Sequence, residues 1–537
     1  MSTTSIPTGV GTDHHLTTGQ DAPLSPSGGG SSPERPSATF ETHDPRTGAL
    51  LAVVPDQGPD EVRAAVARAR SVASQWAALT FDERRRHLLS VRDRLLDRAE
   101  ELVGTICAET GKQPAEAVTT ELMAACETID YYARHGEKML RTQRVGPGTL
   151  VHKSAWKRYE PMGVIGVISP WNYPFVLSMT PVVTALFAGN AAVLKPSEVT
   201  PTVGLAIGEL FDVGGWGDLV QVVTGGGATG EALVRSGVDK VTFTGSVATG
   251  KRVMAAAADT LTPVLLELGG KDPMIVCGDA DVARAARGAV WGSMQNSGQT
   301  CMSVERAYVT EDVYDAFVAH VLGEVAAIRQ DDSGQGDIGS MTFGPQVGIV
   351  ERHLADAVEK GATVLAGGTR SDRDGHWFPP TVVVDVDHTM LLMTEETFGP
   401  VLPIMKVTDA EEALRLANDS PYGLNSSVWT EDEDLGVSIA NRLQAGNVCI
   451  NDCIVSYAVN GLPFGGVKTS GIGRVHGPEG LREFCNVKSV MGQRFRVPRE
   501  LWWFPLPKGL DRIGIASMRA RFGSDLRTKL HRPRRSP

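Results

Sequence analysis

Cysteine is scarce and poorly placed for a structural role. The seven in this 537-residue chain sit at 107, 126, 277, 301, 449, 453 and 485. An odd, scattered set excludes the dense, even framework of a disulfide-stapled domain. Zinc wants paired Cys or Cys/His at short spacing, and Cys449 with Cys453 has no second pair to complete a tetrahedron. No metal is expected, and the thiols read as reduced, at least one of them open to chemistry. Positive charge is also short. Lys and Arg number 52 against 63 Asp and Glu, a net charge of -11. A general nucleic-acid binder would show a basic face, so no nucleic-acid partner is expected. Long apolar runs are missing as well. The longest uncharged stretch, 161–194, is broken by Pro170, Pro174 and Pro181 and carries Asn172 and Asn190. A membrane span needs about 20 continuous apolar residues, so this stretch reads as a buried strand, loop, helix and strand. Residues 1–40 are rich in Ser, Thr, Gly and Pro and lack the apolar segment of a signal peptide. They read as a disordered extension, and a cytoplasmic location is expected.

What is present is an ordinary globular composition, with 42% apolar and 21% charged residues, on a chain long enough for two to four domains. A turn is read at 43–48, and helices at 61–78, across 81–110 and at 116–135. A strand or hairpin is read near 149–160. Strand-like runs at 164–168, 191–194, 220–223, 240–243 and 264–266 then alternate with helical ones. A second series follows, with strands near 273–276, 306–309, 363–366, 381–384, 401–406, 427–430 and 448–451. It includes helices at 280–294 and 313–328. Short buried strands alternating with helices predict parallel, doubly wound α/β sheets.

Several loops carry chemistry. Cys301 ends Asn296-Ser297-Gly298-Gln299-Thr300-Cys301, a Gly-containing loop between a helix and a strand. A thiol presented there can be reached by substrate, although buried inert cysteine is the commoner fate. Glu267 closes an apolar strand before Gly269 and Gly270. It is either a desolvated general base with a raised pKa or the salt-bridge partner of a neighbour such as Lys271. Pro170-Trp171-Asn172-Tyr173-Pro174 follows the strand at 164–168, where open α/β sheets place ligands. Asn172 can donate to a developing oxyanion or merely cap the turn. Lys195 and Glu198 end the next strand and either clasp ribose hydroxyls or pair with each other. Three glycine motifs compete for a nucleotide. Gly225-Gly226-Gly227-Ala228-Thr229-Gly230 formally matches a dinucleotide fingerprint but lacks the acidic residue on a following strand, so it reads as a tight turn. Gly245-Ser246-Val247-Ala248-Thr249-Gly250-Lys251 nearly matches a P-loop. Arg252 stands where the magnesium-binding hydroxyl belongs, which excludes an NTPase and leaves a helix N-terminus suited to pyrophosphate. Gly465-Gly466 reads as a loop.

Taken in order, these motifs make a specific set. Later come Glu395-Glu396-Thr397-Phe398-Gly399-Pro400, Asn418-Asp419-Ser420-Pro421-Tyr422-Gly423-Leu424 and Pro463-Phe464-Gly465-Gly466. From about residue 42 to 491 the series resembles the aldehyde dehydrogenase superfamily, including the 34-residue gap between Glu267 and Cys301. The resemblance implies oxidation of an aldehyde to its acid with hydride transfer to NAD. Cys301 would form the thiohemiacetal and thioester, Asn172 and the backbone N–H of Cys301 would hold the oxyanion, and Glu267 would activate water. It further implies cofactor contacts from Trp171, Lys195, Glu198, Gly245, Ser246, Glu396 and Phe398. NAD is preferred to NADP because the Glu198 carboxylate would repel a 2′-phosphate.

Tyr173, Val176, Leu177, Thr180, Gln295, Met302 and Tyr457 match positions of the family's substrate funnel. The run from Cys301 to Arg306 is similar to bacterial members labelled succinate-semialdehyde dehydrogenases. No Arg or Lys can be placed in the funnel for a substrate carboxylate, so a general aliphatic or aromatic aldehyde is expected. CoA-dependent acylation and a non-enzymatic scaffold are the rival readings. The family architecture implies a cofactor domain (41–145 and 163–266), a catalytic domain (267–460), and a bridging element (146–162 and 461–495) that makes a homodimer or homotetramer. From 496 to 537 Arg and Lys outnumber Asp and Glu by eleven to three, behind Trp502, Trp503 and Phe504. That tail either packs back on the core or touches an anionic membrane surface.

Overall fold

Most strands of the two large sheets are short, buried on both faces, and end where Gly, Pro or a polar residue interrupts the run. In a computed structural model, which describes residues 38–524, the chain forms two large sheets and two small ones. Residues 1–37 of the expected extension and 525–537 of the basic tail lie outside the described residues. Thr39 and Phe40 open a strand, Thr39–His43, paired antiparallel with Leu50–Pro55.

The first large sheet runs, edge to edge, Gly471–Ile472, Val264–Glu267, Lys240–Thr244, Val164–Ile168, Ala191–Lys195 and Val220–Val222. All its pairings are parallel except that of Gly471–Ile472 with Val264–Glu267. The chain enters at Val164–Ile168, steps outward through Ala191–Lys195 to Val220–Val222, and returns to Lys240–Thr244 on the other side. That reversal creates a crevice at the carboxyl ends of Val164–Ile168 and Lys240–Thr244, the position where open parallel sheets bind ligands. Helices Val176–Ala188, Pro201–Leu210, Gly227–Arg235 and Val247–Ala258 make the crossovers.

The second sheet orders its strands Thr363–Ala366, Thr381–Val384, Val401–Val407, Val304–Thr310, Asp272–Val276, Ser427–Trp429 and Cys449–Ile450. Only Thr363–Ala366 is antiparallel to its neighbour. Alternation along Asp272–Val276 sends Met274 and Val276 into one apolar cluster and Ile275 into another. Both faces are therefore buried, as a parallel sheet covered by helices requires.

A third, antiparallel sheet pairs Lys153–Pro161 with Gln143–Val145 and with Cys485–Gln493. Of the segment 461–495, only this last strand joins it; Gly471–Ile472 pairs into the first large sheet, and helix Gly477–Glu483 precedes Cys485.

Candidate active site

Cys301 is delivered by a turn that the backbone resists. Asn296, Ser297 and Gly298 have φ of 53°, 52° and 73° in succession, and two of the three are not glycine. The turn is over-determined by its bonds. The Ser297 hydroxyl donates to Gly339 O (2.9 Å), and the Gln299 amide donates to Asn296 O (2.9 Å) while its carbonyl accepts from Thr342 N (2.7 Å). Gly298 is required, because a Cβ there would lie 2.0 Å from Gly399 O.

The Pro170–Pro174 loop is locked against this turn. Asn172 Nδ2 donates to Gln299 O at 2.9 Å, leaving its second N–H for another acceptor. The Asn172 carbonyl accepts from Asn296 Nδ2 (2.8 Å) and from Lys112 Nζ (2.5 Å). Lys112 also pairs with Glu121 at 2.5 Å, both side chains fully buried. Glu121 in turn accepts the N–H groups of Phe175 and Val176. Tyr173 stacks under Lys112 Nζ and shares a 2.8 Å hydrogen bond with Thr300 Oγ1, next to Cys301.

Glu267 is buried, and neither carboxyl oxygen has a hydrogen-bond partner. The alternative, a bridge to Lys271, is not what forms: Lys271 pairs with Glu305 at 2.6 Å. Burial pushes the Glu267 carboxyl well above its ordinary range, and the Arg474 charge opposes this only in part. The Cys301 thiol is pushed up too, by burial first and then by the carboxylates of Asp272, Glu396 and Glu267. Burial, with the Glu305 charge behind it, raises Glu396 to about 8, although its Oε1 accepts Gly270 N at 3.0 Å.

One cleft of about 1290 Å³ gathers Trp171, Asn172, Leu177, Lys195, Glu198, Gly245, Ser246, Glu267, Cys301, Glu396 and Phe398 along its walls. Its features fit an elongated dinucleotide. Ser246 caps helix Val247–Ala258, accepting Thr249 N at 3.3 Å, so the positive helix end faces the cleft. A Cβ on Gly245 would lie 2.6 Å from the Phe243 ring, so no larger residue fits beside that helix end. Lys195 and Glu198 pair at 3.1 Å, with the Glu198 side chain half-exposed on the wall. Gly227 and Gly230 also line the cleft, so the glycine run read as a tight turn contributes to it. At the inner end Trp171 meets Phe398 edge-on at 5.5 Å and Phe343 at 5.7 Å.

A smaller cavity also reaches Cys301 and Glu267, past Leu177, Thr180, Leu268, Tyr457, Phe464 and Val475. Tyr457 packs between Phe464 and His476. Val176 is buried, and Gln295 and Met302 flank the Cys301 turn.

The site also draws on Lys112, Glu121, Gln299, Glu305 and Arg474, to none of which the sequence assigns a role. Glu305 holds the N–H groups of Thr397 and Phe398 at 2.8 and 2.9 Å, which supports Phe398 at a φ of 52°. A signal is available there, since a carboxylate in a strand-like segment that also carries Val304, Ala307 and Val309 demands a partner.

The model of the aldehyde dehydrogenase family matches residues 33–490, and the chain belongs to that family. It is an oxidoreductase that converts aldehydes to acids with a nicotinamide dinucleotide. It is 43% identical over 470 residues to 4,4'-diapolycopene aldehyde oxidase of Methylomonas sp., covering 87% of this chain and 88% of that protein. It is 36% identical to succinate-semialdehyde dehydrogenase (NADP+) 1 of Mycobacterium tuberculosis, covering 84% and 98%. The NAD+ complex of an aldehyde dehydrogenase from Bacillus cereus superposes with a TM-score of 0.81 at 36% identity, covering 85% of this chain and 93% of that one. Among the described residues no helix is long and apolar enough to cross a membrane, and no cluster of metal-ligating side chains occurs.

Proposed function

We propose that Cys301 is the nucleophile, Asn172 an oxyanion donor and Glu267 the base of a hydrolytic, NAD-preferring aldehyde oxidation. The observation that carries this is Glu267, a buried carboxyl with neither oxygen bonded, on the walls of both cavities that reach Cys301. A buried carboxyl without a partner is costly to a fold, and its raised proton affinity suits it to exchange protons with a thiol or a water.

Glu267 takes the Cys301 proton as the sulfur adds to the carbonyl carbon, and the oxygen gathers the negative charge. The second N–H of the Asn172 amide, held in place by Gln299 O and the loop beneath, meets that charge. A bound nicotinamide would supply the acceptor for the hydride that departs from the former carbonyl carbon, and Cys301 is then left carrying the acyl group as a thioester. Glu267, its first proton lost to solvent, then deprotonates a water that attacks the thioester. The acid leaves and the sulfur recovers its proton. Glu396 and Phe398 would hold the nicotinamide end of the cofactor, Ser246 with its helix end the pyrophosphate, and Lys195 with Glu198 the adenosine ribose. The Glu198 carboxylate favours two ribose hydroxyls over a 2′-phosphate.

The substrate proposed is an apolar aldehyde. Leu177, Leu268, Tyr457, Phe464 and Val475 wall the small cavity, and its lining includes no cation. A substrate with a second carboxylate would want one. The Methylomonas relative's name, an oxidase of a diapolycopene aldehyde, points the same way.

The test follows NADH absorbance with benzaldehyde, hexanal, a polyene aldehyde and succinate semialdehyde, each with NAD and NADP, for wild type and Cys301→Ala. Turnover is expected to be fastest with an apolar aldehyde and NAD, and absent in the variant. Activity surviving in Cys301→Ala would overturn the nucleophile. Preference for succinate semialdehyde would overturn the substrate class, and acyl-CoA formed on adding CoA would overturn hydrolysis.

A further inference from the structure

The carboxyl-terminal segment that follows the third sheet is unlike the rest of the chain in charge and in packing. Its root is fixed: Arg494 N donates to His152 O at 2.8 Å, and buried Glu500 pairs with His152 (2.8 Å) and with Lys153. The Trp502 ring lies 6.0 Å from that of His152. Beyond this anchor the chain stands off the core. Trp503 is 55% exposed and Phe504 86% exposed, and helix Leu510–Phe522 buries no residue. That helix leaves Ile513, Ile515, Met518 and Phe522 in the open, at 65%, 42%, 55% and 73% exposure. Ile515, Met518 and Phe522 lie within about 60° of one another around the helix, with Ile513 on the opposite side, and exposed apolar side chains grouped in this way mark an interaction surface.

Charge selects the cover. Residues 494–524 carry seven Arg and Lys against two acids, Glu500 and Asp511, in a chain whose net charge is -11. Glu500 is already paired, so the segment presents a positive face. A contact between this face and the same face of a second copy would oppose like charges. An anionic lipid surface meets both features at once: headgroups take the basic side chains, while Trp and Phe rings settle at the water–acyl boundary. The helix is 13 residues long, about 20 Å, too short to span and suited to lying in the interface plane.

We propose that the segment from Phe495 to Phe522 docks this enzyme on the surface of an anionic bilayer, peripherally and reversibly. This goes beyond the reaction assigned to Cys301 and does not rest on it.

The full chain should float with equimolar phosphatidylcholine–phosphatidylglycerol vesicles at low salt and be released at high salt, because exposed charge pairs are screened. Partition onto pure phosphatidylcholine should be weaker by about ten-fold or more. Lys508→Glu with Arg512→Glu should lower binding to the anionic vesicles by about ten-fold or more, and Trp503→Ser with Phe504→Ser should lower it independently of salt. Both double variants should still turn over benzaldehyde at the wild-type rate, which shows that they fold. Wild type that ignores the anionic vesicles, or binds both kinds of vesicle equally, overturns the proposal. So does a wild type that forms a larger lipid-free assembly than the Trp503/Phe504 variant, because a second copy would then be the cover.

Discussion

Ionising Glu267 in the folded chain means placing a charge where neither oxygen has a partner. Its folded pKa lies above the ordinary value of 4.5. The stability it contributes is therefore full below that value and is lost as pH climbs toward the folded pKa. Glu267→Gln keeps the shape and removes the charge. The variant is expected to gain in Tm over wild type at about pH 8 and to lose that gain at about pH 4; a scan showing the larger gain in acid would refute the assignment. The same substitution should slow both the burst of reduced cofactor and the turnover that follows it, because Glu267 takes the Cys301 proton before it activates water. In wild type the rate of hydrolysis should rise with pH as Glu267 deprotonates. Asn172→Ala should lower kcat by roughly 10²–10³-fold, and mass spectrometry should find Cys301 still alkylated by iodoacetamide.

The turn carrying Cys301 and the loop carrying Asn172 act as a pair of elements, and their support explains what sequence could and could not reveal. Five of the six strands of the first large sheet are legible to within a residue or two, since Gly or Pro breaks each apolar run, whereas the two-residue strand Gly471–Ile472 carries no such signal. Cys301, Glu267 and Asn172 stand out as candidates because reactive side chains at strand ends and in Gly-containing loops break the local pattern, while the roles proposed for them rest on the family resemblance. Their scaffolding was not. Lys112 and Glu121 lie nine residues apart and reach Asn172 O and Phe175 N only through the fold. Glu305 finds Lys271 across 34 residues. The Gly344–Glu359 helix was not read either, although Phe343 and Gln346 at its start line the cleft. Two substitutions probe the support. Glu121→Gln leaves Lys112 buried without its counter-charge and should cost about 3–5 kcal/mol in denaturant unfolding; a loss under about 1 kcal/mol would mean the pair is not desolvated in solution. Gly298→Ala forces a Cβ toward Gly399 O at a φ of 73°, so both Tm and activity should fall, whereas Ala248→Ser, on the exposed start of a helix, should change neither.

At the scale of the whole molecule, the cleft joins segments that sequence places far apart. Trp171, Lys195, Gly227 and Ser246 come from the first large sheet's crossovers, and Phe343, Glu396 and Phe398 come from the half built on the second. A dinucleotide bound there touches both and binds the folded chain alone, so its binding free energy adds to stability. At one hundred times Kd the gain is about 2.7 kcal/mol, a rise of a few degrees in Tm. The sign of the difference between cofactors then reports on Glu198. Its half-exposed carboxylate stands beside Lys195, so a 2′-phosphate gains one cation and meets one anion, whereas ribose hydroxyls can donate to the carboxylate with no charge opposed. NAD should therefore raise Tm more than NADP at equal concentration in wild type. Glu198→Gln should narrow the gap, with NADP affinity improving by about ten-fold, or 1.4 kcal/mol. An NADP shift in wild type as large as that of NAD would show that Glu198 turns away from the ribose and that Lys195 alone sets the preference.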